Sequence, residues 1–244
     1  MPRRLVVGNW KMHGLTADLA ELRAIDAARD IDVVVCPPFP LLTAAVASAS
    51  HVAIGAQDCH PVESGAHTGA VSAAMIADAG AQWVILGHNE VRTAQRLDDA
   101  AVAARVAAAQ QHLNVILCVG ETARGDGGVA EQLLASIPAT CDPIRLTVAY
   151  EPVWAIGSGV TPAMDEIATM HATLRQTLTK RCGPRGDAVR ILYGGSVGPA
   201  NAAAIAATPN VDGVLVGGAS LRAATFAPII EAMDMKGRDE CVAA

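Results

Sequence analysis

Eight short apolar runs, rich in β-branched residues, alternate along the chain with longer stretches of helical spacing. The runs are continuous rather than alternating in polarity, which is typical of strands that are covered on both faces. A strand followed by a helix, repeated eight times, is the pattern of a closed parallel barrel. The predicted strands cover residues 5–10, 32–36, 52–58, 83–88, 114–120, 146–151, 190–195 and 211–217.

Ala- and Leu-rich stretches lie between these runs, and no linker or shift in composition divides the chain. The clearest helical stretches cover residues 17–29, 97–111, 129–137 and 163–180. Thr161-Pro162 predicts the start of the last of these, because a capping hydroxyl directly precedes a proline at the first helical position. We therefore predict an α/β protein, a single (β/α)8-barrel domain over residues 1–244, whose tail at 237–244 lacks regular structure.

The main alternative to the barrel is a doubly wound open sheet. That fold carries a glycine-rich dinucleotide-binding turn after its first strand. The residues at that place here are Gly8-Asn9-Trp10-Lys11, which do not form such a turn. The sequence therefore favours the barrel.

Composition limits the possible functions. The chain has 244 residues, of which 52% are hydrophobic, and a net charge of -6 without a run of basic residues. This charge argues against binding of nucleic acid or of anionic membranes. No stretch approaches the roughly 18 apolar residues that a membrane span requires. We therefore expect a protein that acts on a small molecule.

The cysteines and histidines are scattered. The six cysteines form no Cys-x-x-Cys pair, and no two histidines lie three or four residues apart. This spacing is typical neither of a disulfide framework nor of a metal site. We expect reduced thiols, a cytoplasmic protein and no bound metal.

Three side chains at predicted strand ends are candidates for chemistry, because barrel active sites form at the carboxyl ends of the strands. Lys11 suits a phosphate or an oxyanion, the alternative being a solvated charge. His88 precedes a predicted helix start, where backbone amides would keep its ring neutral and able to donate; a buried structural histidine is the alternative. Glu151 ends an apolar strand before Pro152, where a desolvated carboxylate suits a general base; an ion-paired rim carboxylate is the alternative.

Two glycine-rich turns follow the seventh and eighth strands. Gly194-Gly195-Ser196 and Gly217-Gly218 let backbone amides approach an anion, and barrels frequently bind phosphate with these loops. Glycine that only forms a tight turn is the alternative.

Residues 152–159 have the composition of a hinged lid, or of an ordinary packed loop. Further polar residues at the predicted strand ends are Asp58, Asn89, Glu90 and Glu121.

Seven motifs occur in order along nearly the whole chain, and together they resemble the triosephosphate isomerase family. They are GNWKM (8–12), GAHTG (65–69), ILGHNE (85–90), CVGE (118–121), AYEPVWAIGSG (149–159), YGGSV (193–197) and LVGGASL (215–221). The resemblance implies a TIM barrel and an aldose–ketose isomerase of glycolysis and gluconeogenesis that uses no cofactor. Its reaction would interconvert dihydroxyacetone phosphate and D-glyceraldehyde 3-phosphate through an enediolate.

The resemblance also implies roles for individual residues. Glu151 would carry a proton between two substrate carbons, and His88 would be the neutral electrophile beside the enediolate oxygens. Asn9 and Lys11 would line the site, with Lys11 balancing negative charge, and Glu90 would support these side chains. The phosphate would contact the backbone amides of Gly157, Ser196, Gly217 and Gly218.

Four positions depart from the family pattern, and one of them is Asn89, which stands where the family usually has serine. Ala70 and Val91 replace residues that commonly form an ion pair across a dimer interface, and because both partners are lost, no single charge is left buried. We therefore expect a homodimer with an altered interface, formed by the loop around Thr68. Val160 replaces a lysine that is common at the end of the lid, a change that removes no catalytic group.

Two other functions are compatible with this fold. A paralogue would isomerise a larger ketose phosphate, such as a tetrulose phosphate, with the same glutamate and histidine. A barrel without activity would serve as a binding or scaffold protein. The short lid with its intact AIGSG (155–159) favours the triose phosphate. The complete set of catalytic candidates argues against an inactive barrel, namely Asn9, Lys11, His88 and Glu151.

Overall fold

The computed structural model describes residues 3–27, 29–125, 127–155 and 161–242, with side chains as far as Asp234. Its strands form a closed parallel barrel in the order β1 to β8, and β8 pairs with β1. The strands are β1 (Leu5–Asn9), β2 (Asp32–Cys36), β3 (Ala53–Ala56), β4 (Trp83–Leu86), β5 (Asn114–Glu121), β6 (Leu146–Pro152), β7 (Arg190–Tyr193) and β8 (Gly213–Val216). The predicted fold is confirmed, and each predicted strand overlaps an observed one.

Helices cover the outside of the barrel. They are α1 (Leu19–Ile25), α2 (Leu42–Ser48), α3 (Ala73–Asp78), α4 (Asn89–Gln95), α5 (Asp99–Ala109), α6 (Val129–Ser136), α7 (Met164–Cys182), α8 (Ala202–Ala207) and α9 (Ala223–Val242). Within the described residues, none of these helices combines the length and the apolar character that a membrane crossing demands.

The continuous apolar strands separate two hydrophobic clusters. Side chains that alternate along each strand point either into the barrel or outward toward the helices. Leu5, Val7 and Ile116 belong to the cluster inside the barrel, whereas Val6 and Val115 pack in the larger cluster under the helices. Both faces of each strand are therefore covered, which explains why the runs do not alternate in polarity.

Helix α7 begins later than the sequence predicts. Its N-cap is Ala163, and the Glu166 carboxylate accepts a hydrogen bond from the Ala163 N–H at 2.8 Å. A carboxylate three residues into the helix satisfies the N–H that the Thr161 hydroxyl was expected to serve. The prediction that Pro162 is the first helical residue is therefore wrong by two residues.

The sequence predicts no regular structure for residues 237–244, but the backbone of residues 237–242 is helical, and residues 243–244 lie outside the described part of the chain. Helix α9 continues to Val242. The sequence around Gly237 supplies Lys236, Arg238 and Glu240, which are favourable helix residues, and a single glycine costs a helix only about 1 kcal/mol.

Candidate active site

A cavity of about 230 Å³ opens at the carboxyl ends of the strands. Most of the residues that the sequence places at strand ends contribute to its wall. The lining residues are Asn9, Lys11, His88, Glu151, Gly194, Gly195, Ser196, Val197, Leu215, Gly217, Gly218 and Ala219. Side chains from the first, fourth and sixth strands thus face glycine-rich backbone from the seventh and eighth.

Glu151 is the buried carboxylate of this cavity. It lies near the end of β6 and is only 2% exposed. Its Oε1 is 3.0 Å from His88 Nε2 and accepts a hydrogen bond from Asn89 Nδ2 at 2.9 Å. Its Oε2 accepts from the Asn89 backbone N–H at 3.0 Å. Three donors therefore compensate for the loss of water around the charge.

His88 is oriented by the start of helix α4. It is the N-cap residue, and its Nδ1 accepts the backbone N–H of Glu90 at 3.3 Å. A nitrogen that accepts carries no proton, so the ring proton lies on Nε2, the atom that faces Glu151. Nε2–H is therefore the donor that His88 offers, and its role toward a substrate stays a prediction.

Lys11 lies in the cavity wall with a strained backbone that two hydrogen bonds hold in place. Its φ of 52° is left-handed, which is uncommon for a residue other than glycine. The Asn9 Oδ1 accepts the Lys11 N–H at 2.9 Å, and Gln57 Nε2 donates to the Lys11 carbonyl at 2.8 Å. The ammonium bonds Glu90 Oε1 at 2.9 Å, at the cavity edge. Backbone strain of this kind, fixed by neighbours, is frequent at functional sites.

The two glycine-rich turns form the opposite wall. Asn201 shapes the first turn, because its Oδ1 accepts from the Gly198 N–H at 2.8 Å and its Nδ2 donates to the Ser196 carbonyl at 3.0 Å. The second turn passes beside Lys11, since a Cβ at Gly217 would lie 3.4 Å from the lysine Cε. An ammonium and two backbone turns thus meet at one place, which suits a phosphate.

The start of the predicted lid is bound to the barrel through Glu121. This buried carboxylate accepts from Tyr150 Oη at 2.8 Å and from Trp154 Nε1 at 2.9 Å. Burial raises the pKa of Tyr150, and the hydrogen bond to Glu121 raises it further, so the phenol stays protonated and donates. Glu121 therefore serves the lid base rather than the cavity. Gly157 and Val160 lie outside the described residues.

Asp58 lies two residues after the end of β3 and does not line this cavity. Its carboxylate pairs with Arg105 and is hydrogen-bonded to Gln95. Among the described residues, no three His, Cys, Asp or Glu side chains are grouped as metal ligands.

Three further amide side chains shape the site, of which the sequence analysis named only Asn89, and that without a role. Asn89 binds Glu151, Gln57 fixes the Lys11 backbone, and Asn201 shapes the seventh-strand turn. All three are amides, which both donate and accept hydrogen bonds. Only Asn89 directly follows a predicted strand, so the sequence pattern offers no common signal for the three.

The arrangement is suited to proton transfer next to an anion. A desolvated carboxylate, an imidazole donor and an ammonium face one cavity, and two backbone turns can bind a charged group. The fold and the site together define a (β/α)8-barrel enzyme of the acid–base class.

Comparison with known proteins identifies the family within that class. The family model for triosephosphate isomerase matches residues 4–233. The chain is 51% identical to the triosephosphate isomerase of Ruegeria pomeroyi, over 96% of this chain and 98% of that protein. It is 51% identical to the enzyme of Afipia carboxidovorans, over 94% and 97%. The crystal structure of triosephosphate isomerase from Bartonella henselae superimposes with a TM-score of 0.88 at 38% identity, covering 94% of this chain and 98% of that one.

The chain therefore belongs to the triosephosphate isomerase family, and it is an intramolecular aldose–ketose isomerase. These relatives are all named triosephosphate isomerase, which gives no support to the tetrulose phosphate alternative.

Proposed function

We propose that this chain interconverts dihydroxyacetone phosphate and D-glyceraldehyde 3-phosphate, with Glu151 as the base and His88 as the electrophile. The observation that carries this assignment is the pairing of a 2% exposed carboxylate with an imidazole nitrogen 3.0 Å away, in a cavity that Lys11 also lines. A proton-transfer reaction between adjacent carbons needs one base and one donor, and these two side chains supply them.

The reaction proceeds through two proton transfers. The phosphate binds at the Ser196 and Gly217-Gly218 turns, next to the Lys11 ammonium. Glu151 takes a proton from the carbon beside the carbonyl, while the His88 Nε2–H donates to the carbonyl oxygen. The electron pair of the broken C–H bond then lies in the enediolate, which the donor and the ammonium stabilise. The protonated Glu151 returns the proton to the neighbouring carbon. Besides these two transfers at carbon, the hydroxyl proton moves through the His88 imidazole to the other oxygen, so that the first carbon becomes the new carbonyl.

Water exclusion protects the intermediate. An enediolate beside a phosphate loses that phosphate readily, and water at the site promotes the loss. The predicted lid, whose Trp154 donates to Glu121, would cover the cavity in the proposed reaction. The Gly157 amide, a predicted phosphate donor in that lid, stays a prediction.

The assignment is tested by a coupled assay of glyceraldehyde 3-phosphate conversion with a metal chelator present. Glu151→Asp withdraws the carboxylate by about one carbon–carbon bond, and we expect kcat to fall by about 10² to 10⁴. Glu131→Asp makes the same change on the exposed surface of α6 and should leave kcat unchanged. A folded wild-type protein without turnover would contradict the proposal, as would equal rates for the two variants.

The same proposal includes a homodimer formed through the loop around Thr68, with Ala70 and Val91 in place of the common ion pair. Thr68 is exposed, and the apolar side chains of Met12 and Leu15 are 93% and 75% exposed in the single chain. Burial of such side chains favours association. Sedimentation velocity should give a dimer at micromolar concentration, and Thr68→Arg should weaken it. A dissociation constant far above micromolar for the wild type would contradict the dimer.

A cytoplasmic location accompanies the proposed function. Cys36, Cys59, Cys118, Cys141 and Cys182 are free thiols, which fits a reducing compartment. Cell fractionation with antibodies against the native protein tests this location.

A further inference from the structure

The guanidinium of Arg92 lies between the ends of β4 and β5. Its side chain is only 14% exposed, its Nε donates to the Gly87 carbonyl at 2.8 Å, and its Nη2 lies 3.4 Å from the Cys118 carbonyl. The pairing of the two strands ends one position earlier, at Leu86 and Leu117. Arg92 therefore donates to the next carbonyl on each chain, and it joins the two chains just beyond their last paired residues.

The remaining contacts of Arg92 hold the guanidinium in this place. Its Nη1 donates to Asp99 Oδ1 at 2.7 Å, and its Nη2 donates to Ser136 Oγ at 3.0 Å. The Ser136 hydroxyl in turn donates to Asp99 Oδ1 at 3.1 Å. A charge removed from water needs acceptors and an opposite charge, and helices α5 and α6 provide them. The Gly87 carbonyl is therefore bound by a group that two helices fix.

Arg92 fixes the chain on both sides of His88. Its side chain binds the Gly87 carbonyl, which belongs to the peptide before His88. Its backbone N–H donates at 2.9 Å to the His88 carbonyl, which belongs to the peptide after it. Gly87 has a left-handed φ of 70°, so the chain turns sharply here. The orientation of these two peptides determines where the His88 Cβ points, and therefore where Nε2 lies relative to Glu151.

We infer that Arg92 is a positioning residue for the electrophile, whose guanidinium fixes the peptide before His88 and so directs the Nε2–H toward the substrate oxygen. The inference rests on the proposed function of His88. Arg92 is not among the residues that line the cavity, so it acts on the reaction through His88. The proposed phosphate contacts lie on the turns after the seventh and eighth strands. Loss of the guanidinium should therefore affect the chemical step and leave phosphate binding unchanged.

Steady-state kinetics of Arg92→Met and Arg92→Lys test this role. Methionine occupies part of the same space without a donor, and a displacement of about 1 Å at a reacting group can cost about 10²-fold in rate. We expect Arg92→Met to lower kcat about 10- to 100-fold, with KM and the inhibition constant of inorganic phosphate within about threefold of wild type. Lysine retains a positive charge beside Asp99 but lacks the planar fork, so Arg92→Lys should restore only part of kcat.

Arg175→Met is the matched control. The Arg175 side chain is 15% exposed, its Nη1 donates to the Gly186 carbonyl at 2.9 Å, and its Nη2 donates to Asp212 Oδ2 at 2.6 Å. Both acceptors precede a strand, so this guanidinium lies at the end of the barrel opposite the cavity. The control loses the same kind of buried fork and should keep the kcat of the wild type. Urea unfolding establishes which variants are folded, and the two lysine variants replace the methionine pair if either fails to fold.

The ring of His88 provides a readout that does not depend on turnover. Nitrogen NMR of protein labelled at histidine reports the hydrogen bonds of each ring nitrogen, and the loss of signals in His88→Gln assigns those of His88. Arg92→Met should shift the His88 resonances, because the ring moves when the preceding peptide is released. Arg175→Met should leave them unchanged.

The inference requires both a lower kcat and shifted His88 resonances in Arg92→Met, so either one without the other contradicts it. An equal fall of kcat in Arg92→Met and Arg175→Met would show a general effect of lost stability instead. A higher KM and a weaker inhibition by phosphate at constant kcat would place the effect on binding, which also contradicts the inference. Absence of turnover in the wild type would contradict the proposed function, whereas the His88 resonances would still show whether Arg92 orients the ring.

Discussion

His171 makes the stability of the barrel sensitive to pH. It lies on α7, is fully buried, and its Nδ1 lies 3.0 Å from the Asn210 carbonyl. Burial lowers the pKa of His171 from 6.5 to about 4. The hydrogen bond to Asn210 opposes this shift in part, and the nearby charge of Arg175 adds to it. The folded protein therefore keeps this ring neutral at pH values where an unfolded chain would protonate it.

The pH dependence follows from this difference in proton binding. Above pH 7 neither state binds the proton, and His171 contributes no pH-dependent free energy. Between the unfolded pKa of 6.5 and the folded pKa of about 4, the unfolded state binds more protons, so stability falls as the pH falls. The loss attributable to this residue is about 2 kcal/mol at pH 5 and about 3 kcal/mol at pH 4.

Urea unfolding of the wild type and of His171→Gln at pH 7 and pH 5 measures this loss. Glutamine is neutral at both values and retains an amide N–H for the Asn210 carbonyl. The free energy of unfolding should fall by about 2 kcal/mol more in the wild type than in the variant. Groups common to both proteins cancel in the comparison when protein concentration is held equal. Equal losses in the two proteins would refute the reasoning.

Two other substitutions test the packing that supports the site. A Cβ at Gly120 would lie 2.1 Å from the Glu151 carbonyl oxygen, so Gly120→Ala should displace β6. We expect kcat to fall at least tenfold in a turnover assay and the free energy of unfolding in urea to fall by about 1–3 kcal/mol. Burial opposes ionisation of Asp26, but three backbone N–H donors outweigh this effect and lower its pKa. Asp26→Ala should therefore lower the free energy of unfolding by about 1–3 kcal/mol at pH 7. That contribution is lost as the pH falls below 3.8, and unchanged stability at pH 7 would count against it.

The strands could be predicted because burial on both faces leaves a continuous apolar signal. All seven residues of β6 are buried, and the predicted range 146–151 differs from it only at Pro152. The start of α7 could not be fixed in the same way. The side chains of Thr161 and Glu166 can both accept a hydrogen bond from the first turn. The sequence does not show which oxygen lies next to the free N–H group, and in the structure it is that of Glu166.

The catalytic candidates could be predicted from their position at strand ends, but that position does not decide where a side chain points. Glu121 and Asp58 share this position with Glu151, yet Glu121 faces Tyr150 and Asp58 pairs with Arg105. Each choice depends on a partner that is distant in sequence. A strand-end pattern therefore identifies the rim of the site and overstates the number of residues that face the cavity.

The left-handed backbone of Lys11 is a second feature that the sequence pattern does not predict, and its strain can be measured. A left-handed φ of 52° costs a lysine about 1–2 kcal/mol, and nothing in the run around Asn9 predicts it. Lys11→Gly and Lys11→Ala both remove the ammonium, but only glycine removes the strain. We expect the glycine variant to be more stable than the alanine variant by about 1 kcal/mol in urea, and both to lose kcat/KM alike. If the alanine variant proved equally stable, the left-handed backbone would carry no strain. The hydrogen bonds from Asn9 and Gln57 would then not be holding Lys11 in an unfavourable conformation.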